Sequence, residues 1–418
     1  MSSLARVLND FLDPDLILST LRAHDAVKRV RTVEPVILVW TLILGSCCAT
    51  KRSIASAHRA FERHTGHTLA RSSFYDRFSL GLEAAMRALL DHALSRTMGQ
   101  AHAGAFAQVL ALDATIVSLW GGLRDKLPGC AKGSAGAKLQ VVYNLLGAKP
   151  TKVKLFAEKK ADQACWKTLG PWVKGALLIV DMGYYSWHFF HLVDQNGGFF
   201  LTRLKSGCAL EIVSDISPGA GRRSKKVVGM KLKDALKRTR RQTVCYLVRV
   251  EVELRPYRGK SRTKSYVWRA VGRRLEDGSY RMYLTNTTQD QIKGSEVGEY
   301  YRLRWQVELL FKTLRQEGGL GDVATGKRHV VKTWMWAAML RAALVGAFSN
   351  VLQGFERSVG VNPMQVGKVV REWGERMLGD LCESLGLWLS DDPLEIMSRQ
   401  VFLTLDSRPR ALHLLHSA

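Results

Sequence analysis

The spacing of apolar and polar residues divides the chain into segments of different character. Up to about residue 100, apolar residues recur mainly at helical spacing, and the longest apolar run covers 35–49. From 105 to 204, β-branched runs such as 109–119 and 176–180 surround a helical stretch at 186–195. Strands followed by a strand–helix–strand crossover predict an α/β sheet. Beyond 291 the pattern is helical again, so helical regions should flank the sheet on both sides of the sequence.

A strongly basic segment interrupts the α/β pattern. Residues 203–274 contain 21 Lys and Arg against 5 Asp and Glu, which places +16 of the formal net charge of +25 in that segment. Within and just after it, 244–254, 266–271 and 281–285 read as strands, while 257–264 and 276–278 read as turns. The pattern therefore predicts a basic, mainly β insertion at 205–290.

The overall charge indicates a polyanionic partner. The chain has 62 Lys and Arg against 37 Asp and Glu, and 46% of its residues are hydrophobic, which excludes a disordered chain. A globular protein this basic repels itself unless it meets a polyanion, so nucleic acid is the leading partner class and an anionic membrane surface its main competitor. The run 35–49 is too short to span a bilayer and the run 334–348 is broken by Arg341, so both are expected to be buried helices.

Targeting and cysteine patterns favour an intracellular protein. Residues 1–10 lack the apolar core of a signal peptide. The seven cysteines are odd in number and scattered, without a Cys-x-x-Cys pair, so we expect reduced thiols and neither a disulfide framework nor a structural zinc site. These patterns predict a cytoplasmic location.

The N-terminal region has a weak DNA-binding signal. Two short helices, 53–63 and one beginning near Arg71, are separated by a turn that contains Gly66, a spacing compatible with a helix-turn-helix. An ordinary helical bundle with a solvated basic face explains the same pattern equally well.

Two acidic residues lie in or at the ends of apolar strands. Asp113 lies within Leu-Ala-Leu-Asp-Ala-Thr-Ile-Val, and Asp181 ends Leu-Leu-Ile-Val-Asp. A buried carboxylate needs a compensating cation, guanidinium or backbone N–H. A helix cap explains either residue alone, but two such acids on adjacent strands favour a divalent-metal site.

A third acid lies on a predicted helix that covers 297–315. Its stripe at helical spacing contains one acid among three cations and a tyrosine: Tyr301, Arg304, Glu308, Lys312 and Arg315. An amphipathic helix with solvated charges is the alternative. The excess of cations favours a helix that offers one metal ligand between phosphate contacts.

These residues carry a family resemblance. Asp113, the Asp181-Met-Gly-Tyr segment and Glu308 within Tyr-x2-Arg-x3-Glu-x6-Arg resemble the DDE transposases of bacterial insertion sequences. The most similar family has a Tyr-Arg-Glu-Lys signature and a β insertion before the glutamate, and the resemblance runs from about 50 to 345. Arg315 stands where that family has its lysine. Where many relatives place a base-stacking tryptophan, this chain has Tyr280 and Arg281.

The resemblance implies a ribonuclease-H-like fold, in which a mixed five-stranded sheet with helices on both faces is interrupted by the basic β insertion. The implied organisation is a helical DNA-binding domain at 1–104, a catalytic core at 105–204 and 291–348, the insertion at 205–290, and a helical region for protein–protein contacts at 349–418.

The resemblance also implies a site and its partners. Asp113, Asp181 and Glu308 would be the catalytic residues and would bind two Mg²⁺ ions, for which Mn²⁺ could substitute. DNA contacts would come from the signature residues, the insertion and the positions near its end: Tyr301, Arg304, Lys312, Arg315, Arg222, Arg223, Lys225, Lys226, Tyr280 and Arg281. The expected partners are double-stranded DNA, as transposon terminal inverted repeats and target, and a second copy in a synaptic homodimer, with no membrane.

The implied activity is cleavage at transposon ends and transfer of the 3′-OH ends into target DNA, through a hairpin intermediate. Two alternatives remain open from the sequence. One is a catalytically inactive, domesticated DNA-binding protein. The other is a ribonuclease-H-type nuclease without strand transfer.

Overall fold

The computed structural model describes residues 3–28, 34–45, 53–96, 105–147, 149–219, 226–257, 260–316, 325–355 and 363–387. The chain divides into two compact units. The helical unit comprises Met1–Arg96, Leu119–Lys126 and Lys312–Ala418, and the sheet unit comprises Thr97–Ser118 and Leu127–Phe311.

The described strands form one nine-stranded sheet in the order β3-β2-β1-β4-β5-β9-β8-β7-β6. Their bounds are β1 Gln108–Leu119, β2 Ala135–Asn144, β3 Lys149–Ala157, β4 Ala176–Val180, β5 Phe199–Arg203, β6 Glu211–Asp215, β7 Thr243–Tyr257, β8 Lys260–Arg274 and β9 Tyr280–Thr285. The α/β prediction is confirmed, with a mixed sheet. It is wider than five strands, because β9 pairs with β5 and continues the sheet through β8, β7 and β6.

Strand β4, within the parallel part of the sheet, is apolar along its whole length. β4 is buried along its whole length and lies between β1 and β5, with which it pairs in parallel. A strand covered on both faces reads as a continuous apolar run, which is why residues 176–180 were predictable. The crossover from β4 to β5 contains helix α7 (Trp187–Gln195), which begins after Ser186, whose hydroxyl accepts a hydrogen bond from the backbone N–H of Phe189.

Strands of the basic segment form a long antiparallel ribbon in the same sheet. β7 and β8 pair antiparallel from Thr243↔Arg273 to Tyr257↔Lys260. The predicted turn over 257–264 is therefore wrong, since β8 already begins at Lys260. Basic and small residues at 260–264 hide a strand from a reading based on apolar alternation, but pairing with β7 supplies the backbone hydrogen bonds that define it.

The described helices are α1 (Ser3–Phe11), α2 (Pro14–Ala23), α3 (Pro35–Trp40), α4 (Ile54–Thr65), α5 (Arg71–Tyr75), α6 (Leu80–Arg96), α7, α8 (Leu232–Arg238), α9 (Val297–Arg302), α10 (Trp305–Gln316), α11 (Arg328–Phe355), α12 (Pro363–Glu372) and α13 (Gly374–Ser384). In the helical unit α11 packs on α6, where the Trp336 indole N–H donates to Glu83 Oε1 at 2.9 Å. By length and composition residues 328–352 could cross a membrane, but 72% of their most apolar window is buried inside the protein.

The region predicted as one helix over 297–315 is two helices. α9 ends at Arg302 and α10 begins at Trp305. Around this break the backbone N–H groups of Arg304, Gln306 and Val307 donate to carbonyls three residues earlier. These tighter 3₁₀-type turns interrupt the regular α-helix, so the stripe from Tyr301 to Arg315 does not follow one straight helix.

Candidate active site

The two predicted aspartates lie at the same level on neighbouring parallel strands. β1 and β4 run parallel with Leu112 paired to Val180, so Asp113 and Asp181 each follow a paired residue. Asp113 Oδ1 accepts a hydrogen bond of 2.8 Å from the backbone N–H of Ala114. Asp181 Oδ1 accepts one of 2.9 Å from the N–H of Gly183, so Asp181 also caps the short turn that follows β4. The helix-cap interpretation of Asp181 is therefore correct as local structure, and it does not compete with a role in the site.

Arg304 joins two of the three predicted carboxylates. Its Nη1 donates to Asp113 Oδ2 at 2.7 Å, and its Nη2 donates to Glu308 Oε1 in the first turn of α10. Both the Arg304 and Asp113 side chains are largely buried, with 16% and 14% of their areas exposed. The Arg304 Nε atom is buried and has no hydrogen-bond partner in the described part of the chain. The Arg304 guanidinium, 191 residues from Asp113 in the sequence, thus links strand β1 to helix α10.

The surroundings of Asp113 make its negative charge unfavourable. Burial is the largest influence and, with the nearby charges of Asp181 and Glu308, raises the pKa of Asp113 to about 6, although the Ala114 N–H and Arg304 act in the opposite direction. Burial also raises the pKa of Asp181, with a further contribution from Asp162. The positive charge near the two aspartates therefore does not fully offset the cost of burying them.

The same surroundings favour the charged form of Arg304. Burial disfavours its charged form, but the hydrogen bond to Glu308 and the charge of Asp113 outweigh burial and raise its pKa. Arg304 therefore stays protonated and acts as the local countercharge.

The donor atoms of the site have the chemistry of a hard-cation site. Asp113, Asp181 and Glu308 offer only carboxylate oxygens, which Mg²⁺ and Mn²⁺ prefer. Among the described residues, no group of three or more His, Cys, Asp and Glu side chains comes close enough to hold a metal ion. Arg304 instead contacts two of the carboxylates, as a cation would, so the residues fit a divalent ion by charge and donor type.

The remaining signature residues differ in environment. Tyr301 is partly buried, with its ring 5.4 Å from that of Tyr283, and burial raises its pKa. The Arg304 guanidinium carbon lies 5.9 Å from the centre of the Tyr301 ring. Lys312 and Arg315 are exposed further along α10, in the part that belongs to the helical unit.

Two of the predicted DNA contacts, Tyr280 and Arg281, lie on β9. Arg281 is exposed on β9 opposite Arg273 of β8, and the Tyr280 hydroxyl donates to the Arg241 carbonyl oxygen at 2.5 Å. Lys226 is exposed, whereas Arg222, Arg223 and Lys225 lie outside the described residues.

Sequence reasoning missed one acid near this site. Asp162 lies in the loop after β3, and its charge contributes to the raised pKa of Asp181. It follows Lys159-Lys160-Ala161, a segment without helical or strand periodicity. Only the fold brings it near β4, so no pattern in the sequence marks it.

Comparison with known proteins places this geometry in context. The family described as Transposase DDE domain matches residues 104–343. The transposase for insertion sequence element IS231E of Bacillus thuringiensis subsp. finitimus is 24% identical over 269 residues, which cover 56% of this chain and 55% of that protein. The transposase for element IS1151 of Clostridium perfringens is 25% identical over 267 residues, which cover 57% and 56%. The chain spans about half the length of these relatives.

A solved structure has a similar fold. A cryo-EM structure of the piggyBac transposase synaptic complex with hairpin DNA superposes with a TM-score of 0.50 and 10% sequence identity. The match covers 96% of this chain and 85% of that chain. At this identity the likeness concerns the fold alone.

Proposed function

Because the chain belongs to the Transposase DDE domain family, we propose that it cleaves DNA at the ends of an insertion sequence and joins the freed 3′ ends to target DNA. Membership of the family confirms the resemblance to insertion-sequence transposases. The relatives named above are transposases of insertion sequence elements, which supports the same class of DNA substrate here. The charge of +25 supports it independently, because affinity for DNA comes largely from phosphate contacts.

Three carboxylates would carry the chemistry. The family generally uses divalent metal ions, and we assign Asp113, Asp181 and Glu308 as the residues that would hold them. Bound there, two Mg²⁺ ions would supply Lewis-acid activation of the attacking and leaving oxygens of an in-line displacement. The parallel pairing of β1 and β4 aligns Asp113 with Asp181, and Arg304 links Asp113 to Glu308 of α10.

Arg304 would orient the site. Its guanidinium holds Asp113 and Glu308 in a defined relation and compensates part of their charge. A planar fork that already bonds two carboxylates has fixed directions for its N–H groups, so it can also orient a phosphate that enters beside them. Tyr301, Lys312, Arg315, Tyr280, Arg281 and the basic run at 222–226 would contribute further DNA contacts.

The finer features of the proposal follow the family resemblance. We assign a ribonuclease-H-like core to strands β1 to β5, which have the order β3-β2-β1-β4-β5 within the larger sheet. Strands β6 to β9 then belong to the insertion, and the excess of basic residues lies in the segment 203–274. A synaptic homodimer, a hairpin intermediate and a cytoplasmic location complete the proposal.

The observation that carries this proposal is the meeting of Asp113 and Glu308 on Arg304. Two of the three predicted catalytic acids contact Arg304, a residue of the family signature, although β1 and α10 are far apart in the sequence. A solvated helix with charges paired among themselves does not require Arg304 to reach Asp113 of β1.

The test is divalent-dependent cleavage and joining of DNA that carries the ends of the encoding element. Asp113→Ala, Asp181→Ala and Glu308→Ala should each abolish cleavage, with affinity for the DNA ends changed little because phosphate contacts lie elsewhere. Asp125→Ala, at an exposed carboxylate, is the matched control and should cut like the parent. Near-parental cleavage by any triad variant would remove that residue from the site.

The same assay separates the two alternatives. A DNA-binding protein without activity would bind the ends and leave them intact. A nuclease would cut the DNA without joining the 3′ ends to a target.

A further inference from the structure

A fourth carboxylate, that of Asp162, lies near Asp181. Asp162 Oδ2 lies 2.9 Å, and Asp181 Oδ1 3.1 Å, from the position that a Cβ atom on Gly183 would take. The two carboxylates therefore approach the same point above Gly183. A side chain at position 183 would displace one of them, so a glycine is needed here for close approach rather than for an unusual backbone angle.

Asp162 is anchored on its other oxygen. Its Oδ1 accepts a hydrogen bond of 2.9 Å from Gln140 Nε2 and lies 2.9 Å from Lys138 Nζ. Lys138 also donates to the carbonyl oxygen of Lys160 at 2.6 Å. Since Lys138 and Gln140 both belong to β2, the sheet itself fixes the Asp162 carboxylate.

Gln140 links Asp162 to the turn that follows Asp181. It is completely buried, and its Oε1 accepts hydrogen bonds of 2.7 Å from Trp166 Nε1 and from the Tyr184 hydroxyl. An indole N–H can only donate, so Oε1 must face Trp166 and Nε2 must face Asp162. Tyr184 ends the short turn that Asp181 begins.

The Tyr184 hydroxyl is held in its donating form. Burial first, and then the negative charges of Asp162, Asp113 and Asp181, raise the pKa of Tyr184 well above its usual range. A phenol that keeps its proton continues to donate to Gln140. The hydrogen-bonded path from Asp162 through Gln140 to Tyr184 therefore has each donor and acceptor in a defined place.

We infer that Asp162, Gln140 and Tyr184 are positioning residues for Asp181, which hold the turn after β4 and place a second negative charge beside the Asp181 carboxylate. This inference rests on the proposed function, in which Asp181 holds a divalent cation. Groups that hydrogen-bond around a metal-binding carboxylate orient it and set its affinity for the cation. Asp162 would act in this way on Asp181, while Lys138 offsets enough of its charge to make the pair tolerable without a cation.

The experiment measures Mn²⁺ binding to the full chain without DNA, by the loss of the free-ion electron paramagnetic resonance signal. Asp162→Asn keeps the shape of the side chain and its acceptor oxygen but removes the charge. We expect its Mn²⁺ affinity to fall by about tenfold. Asp125→Asn, the same change at an exposed site, should bind Mn²⁺ like the parent.

A second variant tests the hydrogen-bonded path. Tyr184→Phe removes one hydroxyl from the turn and should also weaken Mn²⁺ binding, with the charge of the site unchanged. It carries the test alone if Asp162→Asn does not fold, as judged by its melting temperature in EDTA. Unchanged Mn²⁺ affinity in the folded variants would overturn the inference.

Asp181→Asn separates this inference from the proposed function. If it abolishes Mn²⁺ binding while Asp162→Asn and Tyr184→Phe do not weaken it, only the positioning network is wrong. If Asp181→Asn itself binds Mn²⁺ normally, the proposed metal site fails, and the network has no cation to position.

Discussion

Two buried arginines of the sheet unit show how differently the fold treats the same side chain. Arg269 of β8 has 2% of its surface exposed, and among the described residues it donates to neutral oxygens, the Ile292 carbonyl at 2.8 Å and the Thr287 hydroxyl at 2.7 Å. Arg304 donates to two carboxylates. Each leaves its Nε without a hydrogen-bond partner among the described residues.

The difference appears in the direction of each pKa. Burial lowers the pKa of Arg269, whereas the hydrogen bond to Glu308 and the charge of Asp113 overcome burial and raise the pKa of Arg304. Within the described part of the chain Arg269 contacts no carboxylate, and its hydrogen bonds tie β8 to the loop after β9. Arg304 contacts two carboxylates that, in the proposed function, would bind divalent cations. A buried cation with neutral partners therefore indicates a role in the fold, and one between acids indicates a role in the site.

The largest expected effect is on stability at Arg269. Arg269→Ala leaves two buried oxygens without their donor and opens a cavity, which should lower the free energy of unfolding by about 4 kcal/mol. Chemical denaturation measures this loss, and it should be the same at pH 4 and pH 7 because neutral oxygens do not titrate. Arg273→Ala on the same strand is exposed and should change stability by about 0.5 kcal/mol or less. A loss at Arg269 no larger than the loss at Arg273 would break the comparison.

The next effect is pH-dependent stability around Arg304. The pKa of Asp113 is raised to about 6 in the fold, above its value near 3.8 in an unfolded chain. The stability that this group contributes is therefore fully present below about pH 4 and is lost as the pH rises through 6. Asn does not titrate, so the Asp113→Asn variant does not lose this stability. As the pH rises from 4 to 7 in EDTA, its free energy of unfolding should increase relative to that of the parent by up to about 3 kcal/mol. Unfolding free energies that run parallel with pH would show that Asp113 has no raised pKa.

The smallest expected effect concerns the geometry of the guanidinium. Arg304→Lys keeps the charge but cannot bond two carboxylates as a planar fork, so DNA cleavage should slow by about thirtyfold, or roughly 2 kcal/mol of activation free energy. Arg315→Lys restores the residue that the resembling family has at this position and should cleave at nearly the parental rate. Single-turnover cleavage of a pre-assembled complex compares the two variants. Equal, full activity in both would leave Arg304 as an ordinary ion pair.

The periodicity of apolar residues predicted those strands whose residues are buried in a regular pattern. Residues 109–119 and 176–180 were predictable as strands because β1 and β4 are apolar on faces that the sheet buries. The same periodicity could not predict that β9 pairs with β5 and that β6 to β8 continue the sheet, because strand pairing depends on residues far apart in the sequence. The break between α9 and α10 was not predicted, because Leu303 and Arg304 have ordinary helix-forming side chains and nothing local marks the end of a helix there.

The candidate site was predictable where acids interrupt apolar patterns. Asp113 and Asp181 stand out because a carboxylate in a buried strand is costly, and Glu308 stands out among cations on one stripe. Asp162 and Gln140 do not stand out, since one lies in a polar loop and the other is a single polar residue in β2. Their role depends on hydrogen bonds across 22 residues between them and 44 residues between Gln140 and Tyr184.

By itself the sequence determined the strands β1 and β4, the basic segment 203–274, the family resemblance and three acids in positions that suggested one site. These features follow from local patterns of burial and charge, which each residue carries with it. Only the tertiary structure decided that Arg304 would bond Asp113 and Glu308, and that Asp162 would converge with Asp181 on Gly183. Such contacts depend on the relative positions of β1, β2, β4 and α10, which are set by packing and strand pairing between residues far apart in the chain.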